Sequence, residues 1–133
     1  MAGLTTHLIV AFVGFLLAWF MFKEWKYGVA FVLGHLGPDL MDFGITGLRI
    51  GSMNPSVIMT HPWFHPLMIL GHTITNWVIF GIIIMAIFIL LYKFNKIGKK
   101  TFMKLILIVA FFLIGIAMHL ILDKLIIETS YWI

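Results

Sequence analysis

A long apolar stretch without charged residues limits the folds that are open to the chain. From Leu67 to Tyr92 there is no Asp, Glu, Lys or Arg, and about 20 apolar helical residues are enough to cross a bilayer core of roughly 30 Å. Of the 133 residues, 62% are hydrophobic and only 11% are charged. A soluble domain of this size needs more charge on its surface. The sequence therefore predicts an integral membrane protein.

Four apolar segments organise the chain. In order, they are Leu4 to Phe22, Tyr27 to about Met41, Leu67 to Tyr92, and Leu105 to about Leu122. The second segment is short and carries polar residues in its second half, so it is either a short spanning helix or a re-entrant one. We therefore predict an all-α, polytopic membrane protein with about four transmembrane or re-entrant helices. These helices form a single domain over residues 1–133.

The connections between these segments predict the orientation of the chain. Residues 23–26 hold two lysines and residues 93–104 hold five, whereas the opposite side has only Arg49 and Lys124. Because basic residues accumulate in cytoplasmic loops, the two lysine-rich connections are predicted to be cytoplasmic. The protein is then a multi-pass protein of the cell membrane with both termini on the non-cytoplasmic side. Residues 43–66, rich in Gly, Ser, Asn, Pro and His, are predicted to form an outward-facing loop.

This topology collects the ionisable groups with metal-ligand chemistry at one end of the helices. All six histidines and all three aspartates map to the outer half. His119 and Asp123 are four residues apart and share a helix face, as do His35 and Asp39. Since the chain has no cysteine, a metal ion would need imidazole and carboxylate ligands. The spacing indicates a divalent-metal site built from facing helices, although any single pair is also typical of an Asp that orients a buried His.

Three further histidines lie near this end. His61 and His65 have the spacing of two ligands on one helical turn, but exposed loop histidines or an interfacial aromatic patch remain alternatives. His72 precedes a polar stripe that includes Thr73, Thr75 and Asn76. This stripe would either support a metal site or pack helices together in the membrane.

The ordered set of motifs resembles the small polytopic membrane-bound metal-dependent hydrolases, a family that includes a DNA-damage-regulated bacterial inner-membrane protein. The late His-x-x-x-Asp motif is also similar to zinc-dependent phospholipase C enzymes. The chain departs from the family pattern at Asp42, which comes one residue late, and at His61 to His65, where an arginine is missing. The matching residues are Thr6 and His7, then Gly37, Pro38 and Asp39, and finally His119 and Asp123.

The resemblance implies hydrolysis of an ester or phosphodiester, with a membrane lipid as substrate, at the non-cytoplasmic face. It implies a divalent metal cofactor, foremost zinc, which would activate water. Asp42 and His72 are the candidates for catalytic proton transfer. The candidate metal ligands are His7, His35, Asp39, His61, His65, His119 and Asp123.

Other functions remain open at this point. Axial histidines on adjacent helices also hold haem in membrane proteins. A metal or proton transporter would need polar residues through the inner halves of the segments, which offer almost none. A structural subunit without catalytic activity is a further alternative, and homo-oligomerisation is left open. The basic residues lie at the ends of apolar segments, so membrane orientation accounts for them and a nucleic-acid partner is not expected.

Overall fold

The chain folds into helices that are joined by short connections. A computed structural model describes residues 3–126, and it contains helices and no strands over that range, so the predicted all-α class is confirmed. The helices are α1 (Leu4–Phe22), α2 (Trp25–Asp39), a π-helical turn (Leu40–Gly44), α3 (Ile45–Ile50), α4 (Pro55–Met59), α5 (Phe64–His72), α6 (Ile74–Lys93) and α7 (Lys99–Leu125). The predicted outward position of the carboxyl terminus concerns residues that lie outside this range.

Within residues 3–126, three helices are long and apolar enough to cross a membrane, namely α1, α6 and α7. Helix α2 packs mainly against α7 and α1, and α6 packs against α7. At one end of this bundle Lys104 Nζ lies 2.6 Å from Glu24 Oε1. The hydrogen bond from Lys104 lowers the pKa of Glu24. The two lysine-rich connections therefore meet at the same end, opposite the histidines and aspartates.

Two glycines allow α2 and α7 to cross with their backbones in contact. A Cβ at Gly34 would overlap the carbonyl group of Phe112, and a Cβ at Gly115 would overlap the carbonyl oxygen of Phe31. Small residues at such crossings are typical of helix packing in membranes, where close van der Waals contact stabilises association. The contact leaves the carbonyl oxygen of Gly115 3.2 Å from His35 Nδ1.

The second segment does not end near Met41, because the helix continues through a π-helical turn into α3. Pro38 lies inside the helix and lacks the N–H that would bond to the carbonyl of Gly34. Two residues later the helix widens at residues 40–44, where each turn encloses one extra residue. Helix α3 ends at Gly51, which adopts a left-handed φ of 66° that glycine tolerates without steric cost.

Most of the segment predicted as a loop, residues 43–66, is helical. Besides the end of the π-helical turn and α3, it contains α4 and the start of α5. Asn54 caps α4 by accepting a hydrogen bond from the Ser56 N–H at 3.0 Å. The guanidinium carbon of Arg49 lies 4.0 Å from the ring centroid of Trp63, a cation–π contact that ties α3 to the turn before α5. Gly, Pro and Asn here start and stop short helices.

The stretch predicted as one helix from Leu67 to Tyr92 is broken at Thr73, which has an extended backbone. The break leaves carbonyl groups at the end of α5 without helical partners. The side chains of Thr73, Asn76 and Trp77 donate hydrogen bonds to these carbonyl groups. The hydrogen bonds are Thr73 Oγ1 to the Ile69 carbonyl at 2.6 Å, Asn76 Nδ2 to the Leu70 carbonyl at 3.0 Å, and Trp77 Nε1 to the Gly71 carbonyl at 2.6 Å.

Candidate metal centre

The ends of five elements meet on the side of the bundle opposite the lysine-rich connections. The start of α1, the end of α2, the π-helical turn, the end of α5 and the end of α7 each contribute at least one imidazole or carboxylate. The residues gathered there are His7, His35, Asp39, Asp42, His72, His119 and Asp123.

Four of these side chains are joined by close contacts through His72 and His119. His119 Nε2 lies 3.2 Å from His72 Nε2, 3.6 Å from Asp39 Oδ1 and 3.3 Å from Asp123 Oδ2. His72 Nε2 lies 3.7 Å from the same oxygen of Asp39 and 3.2 Å from the same oxygen of Asp123. We call these four residues the four-ligand group.

The spacing within the four-ligand group suits a tetrahedral ion. Zinc bonds of about 2.0–2.1 Å to nitrogen and oxygen place neighbouring ligand atoms about 3.3 Å apart at tetrahedral angles. The five measured distances run from 3.2 to 3.7 Å. Asp39, His72 and His119 each offer a ligand atom within 4.8 Å of the other two, so these three residues could hold a metal ion with Asp123 beside both imidazoles.

Asp42 supports His72 from the side away from the four-ligand group. Its Oδ2 lies 3.4 Å from His72 Nδ1, and its Oδ1 accepts a hydrogen bond of 2.6 Å from the Phe43 N–H. Burial raises the pKa of Asp42 to about 7, against the opposing effects of that N–H and of His72. A carboxylate beside one ring nitrogen favours the tautomer that presents the lone pair of the other. Neither Asp42 Oδ2 nor His72 Nδ1 has a hydrogen-bond partner among the described residues, so Asp42 acts on His72 through its charge at 3.4 Å.

His7 and His35 lie directly beside this group. His7 Nε2 is 3.2 Å from Asp123 Oδ1, and His7 Nδ1 is 3.2 Å from His35 Nε2. The rings of His7 and His119 stack with their centroids 4.2 Å apart. His7, His35 and His119 can each offer a nitrogen within 4.8 Å of the other two.

Exposure differs across the cluster. The side chains of Asp39 and His72 are 20% and 16% exposed, whereas those of His35 and His119 are fully buried. The four-ligand group is therefore least buried at the edge formed by Asp39 and His72. The apolar helices close its other sides, which lowers the local dielectric constant and strengthens electrostatic interactions.

The structure does not bring His61 or His65 into the cluster. His61 lies in the turn before α5, where its Nδ1 accepts a hydrogen bond of 3.3 Å from the Trp63 N–H. His65 is exposed in the first turn of α5. It precedes His72 by seven residues, which corresponds to about 10 Å along a helix. His72, at the other end of α5, is the residue of this segment that reaches the other histidines.

Sequence reasoning did not identify two features of the site. His72 was assigned to proton transfer, although its Nε2 lies among the candidate ligand atoms. Thr73 and Asn76 could have indicated this position of His72, because they are too polar for a lipid-facing helix. They mark the helix break that positions His72. The second feature is the backbone carbonyl of Gly115 beside His35, which no side-chain motif can predict.

Comparisons with protein-family models, with curated proteins and with solved structures found no match for this chain. The chemistry proposed for the site therefore rests on its geometry and on the resemblance of its motifs.

Proposed function

We propose that the protein is a membrane-embedded, metal-dependent hydrolase that acts on an ester or phosphodiester, with a membrane lipid as the substrate class. The observation that carries the proposal is that Asp39 Oδ1 and Asp123 Oδ2 each lie within 3.7 Å of both His72 Nε2 and His119 Nε2, which are themselves 3.2 Å apart. Zinc is the metal that these imidazole and carboxylate donors favour at tetrahedral spacing. The position of the cluster at the ends of the helices supports access from the membrane surface.

A bound divalent ion supplies a Lewis acid and lowers the pKa of water toward neutrality, which provides a nucleophile at ordinary pH. The residues of the chain would then hold the ion and orient its ligands. His119 and Asp123 would hold the ion from the buried side, and Asp39 and His72 would hold it at the less buried edge. Asp42 is fully buried behind His72. In this proposal it is a positioning residue for His72, and its role in proton transfer stays a prediction from the sequence.

The motif resemblance supports the same proposal once the π-helical turn is considered. Compared with the family pattern, the chain has one extra residue between Asp39 and Asp42. A π-helical turn encloses one residue more than an α-helical turn, and it covers this stretch. The extra residue is thereby absorbed, and both aspartates still lie against His72.

Metal analysis of the detergent-purified protein tests the proposal. We expect bound zinc in the wild type, and a substantial loss of it in His119→Ala and in Asp123→Asn, because each removes one ligand atom of the four-ligand group. His65→Ala is the matched control, since it deletes an imidazole of the same type outside the group. Zinc retained by all three variants at the wild-type level would contradict the site.

A hydrolysis assay separates the enzyme from a purely structural metal site. We expect the zinc-loaded protein to hydrolyse a chromogenic ester or phosphodiester, or a phospholipid in mixed micelles, and a chelator to abolish that activity. Tightly bound zinc without hydrolysis of any of these would leave the metal site and reject the hydrolase. A Soret absorption band in the purified protein would support the haem alternative instead.

A further inference from the structure

An apolar groove runs along α2, α6 and α7 and begins at the lysine-rich end of the bundle. Helix α7 packs against both α2 and α6, and all three helices line the groove, which has a volume of about 280 Å³. Its apolar walls include Val29 and Leu33 from α2, Ile84 from α6 and Ile108 from α7. Since α6 and α7 are long and apolar enough to span a membrane, these walls lie where acyl chains surround the protein.

The two ends of the groove differ in chemistry. Lys26 is the single charged residue among those that line it, and this exposed side chain lies in the first turn of α2. Leu33 comes seven residues later, about 10 Å further along the helix. The rings of Phe80 and Phe112 also line the groove, with their centroids 6.1 Å apart. The groove therefore has a cationic mouth and an apolar, partly aromatic interior.

The mouth keeps an excess of positive charge. Glu24 is the carboxylate beside it, and Lys104 Nζ lies 2.6 Å from Glu24 Oε1. The hydrogen bond from Lys104 lowers the pKa of Glu24, and the charges of Lys26 and Lys100 lower it further. Three lysines thus surround one carboxylate, and Glu24 is already engaged by the strongest of these contacts. An anion at the mouth would balance the remaining charge.

We propose that the groove binds an acyl chain of a phospholipid with an anionic headgroup, whose phosphate lies at Lys26. Such a lipid carries an apolar chain and a negative group at the depths that the groove requires. A second copy of this chain fits less well, because copies with the same orientation would place seven lysines beside seven others. The groove begins at the end of the bundle opposite the metal centre, so the lipid site does not require the hydrolase function.

Native mass spectrometry of the detergent-purified protein tests this preference. The protein is delipidated and titrated with phosphatidylglycerol, or with phosphatidylcholine that has the same acyl chains and no net charge. We expect one phosphatidylglycerol per chain to bind first, with an affinity several-fold above that of phosphatidylcholine. Equal affinities for the two lipids, or a dimer that binds neither, would overturn the proposal.

The variant Lys26→Gln locates the headgroup. We expect its affinity for phosphatidylglycerol to fall about fivefold, the contribution of one basic residue near an anionic surface, and its affinity for phosphatidylcholine to stay unchanged. Lys96→Gln is the matched control, because it removes the same charge from an exposed position between α6 and α7 that does not line the groove. An equal loss in both variants would indicate diffuse attraction to the lysine-rich end and overturn the site.

The variant Val29→Phe locates the acyl chain, since the larger side chain fills part of the groove. We expect it to bind both lipids more weakly than the wild type. Ile82→Phe is its control, because Ile82 lies on α6 outside the groove and is 63% exposed. Unchanged lipid binding by Val29→Phe would place the lipid elsewhere and overturn the proposal. If Val29→Phe fails to fold by circular dichroism, the exposed substitution Lys26→Gln decides the question.

Discussion

Asp42 illustrates how a residue that contacts no substrate can still control a site. Its carboxylate lies 3.4 Å from His72 Nδ1 and is anchored by the Phe43 N–H at 2.6 Å. A negative charge beside Nδ1 favours the His72 tautomer that presents Nε2 to Asp39 and Asp123. We therefore expect the metal affinity of the proposed site to depend on a carboxylate that is not itself a ligand.

The variant Asp42→Asn measures this contribution. An uncharged amide is a weaker partner for the Nδ1–H of His72, so the ring becomes a poorer donor to the ion. We expect the zinc affinity to fall about tenfold, the lower end of what such supporting residues contribute. Competition with a chelating dye measures the affinity. Glu24→Gln is the control, because it removes the same charge at the opposite end of the bundle, and an unchanged affinity for Asp42→Asn would show that Asp42 does not orient His72.

Among the helices, the crossing of α2 and α7 determines whether the cluster can form. Gly34 and Gly115 allow the two backbones to touch, and this contact brings the His35 ring to the carbonyl of Gly115. The same crossing holds the end of α2, with Asp39, beside the end of α7, with His119 and Asp123. Helix packing and site geometry therefore depend on the same two small residues.

Enlarging either glycine should damage both properties together. Gly34→Ala and Gly115→Ala each place a methyl group into a neighbouring backbone, and we expect each to destabilise the folded protein by about 1–3 kcal/mol. Thermal unfolding in detergent measures the stability, and elemental analysis measures the zinc. Gly98→Ala is the matched control, since nothing lies within 4 Å of a Cβ at that position. Wild-type stability and zinc content in both variants would contradict a close backbone crossing.

At the scale of the whole molecule, the sequence predicted at which end of the bundle the imidazoles and carboxylates of the cluster lie. It did not predict the backbone conformation there. Apolar segments that alternate in direction bring His7, His35 and His119 to one end, and this follows from periodicity and segment order alone. The π-helical turn and the break at Thr73 depend on an internal proline and on side-chain hydrogen bonds to carbonyl groups. Such local departures arise from tertiary contacts, which hydropathy does not record.

The same limitation explains why the sequence predicts His65 as a metal ligand and His72 as a residue for proton transfer. Spacing of four residues made His61 and His65 resemble a ligand pair. The position of α5 in the bundle instead brings its last residue to the cluster and leaves its first turn exposed. Helix α5 packs against α2 and the π-helical turn, and these tertiary contacts are not visible in the spacing of the histidines.

The orientation of the whole molecule is the remaining prediction from the sequence, and it decides from which side a substrate reaches the site. The chain has no cysteine, so single cysteines can be introduced without interference. We expect Ser52→Cys, in the connection between α3 and α4, to react with an impermeant thiol reagent in intact cells. Lys96→Cys, in the lysine-rich connection between α6 and α7, should react only after the membrane is permeabilised, because seven of the nine basic residues lie at that end. Labelling of Lys96→Cys alone in intact cells would reverse the orientation and place the metal centre at the cytoplasmic face.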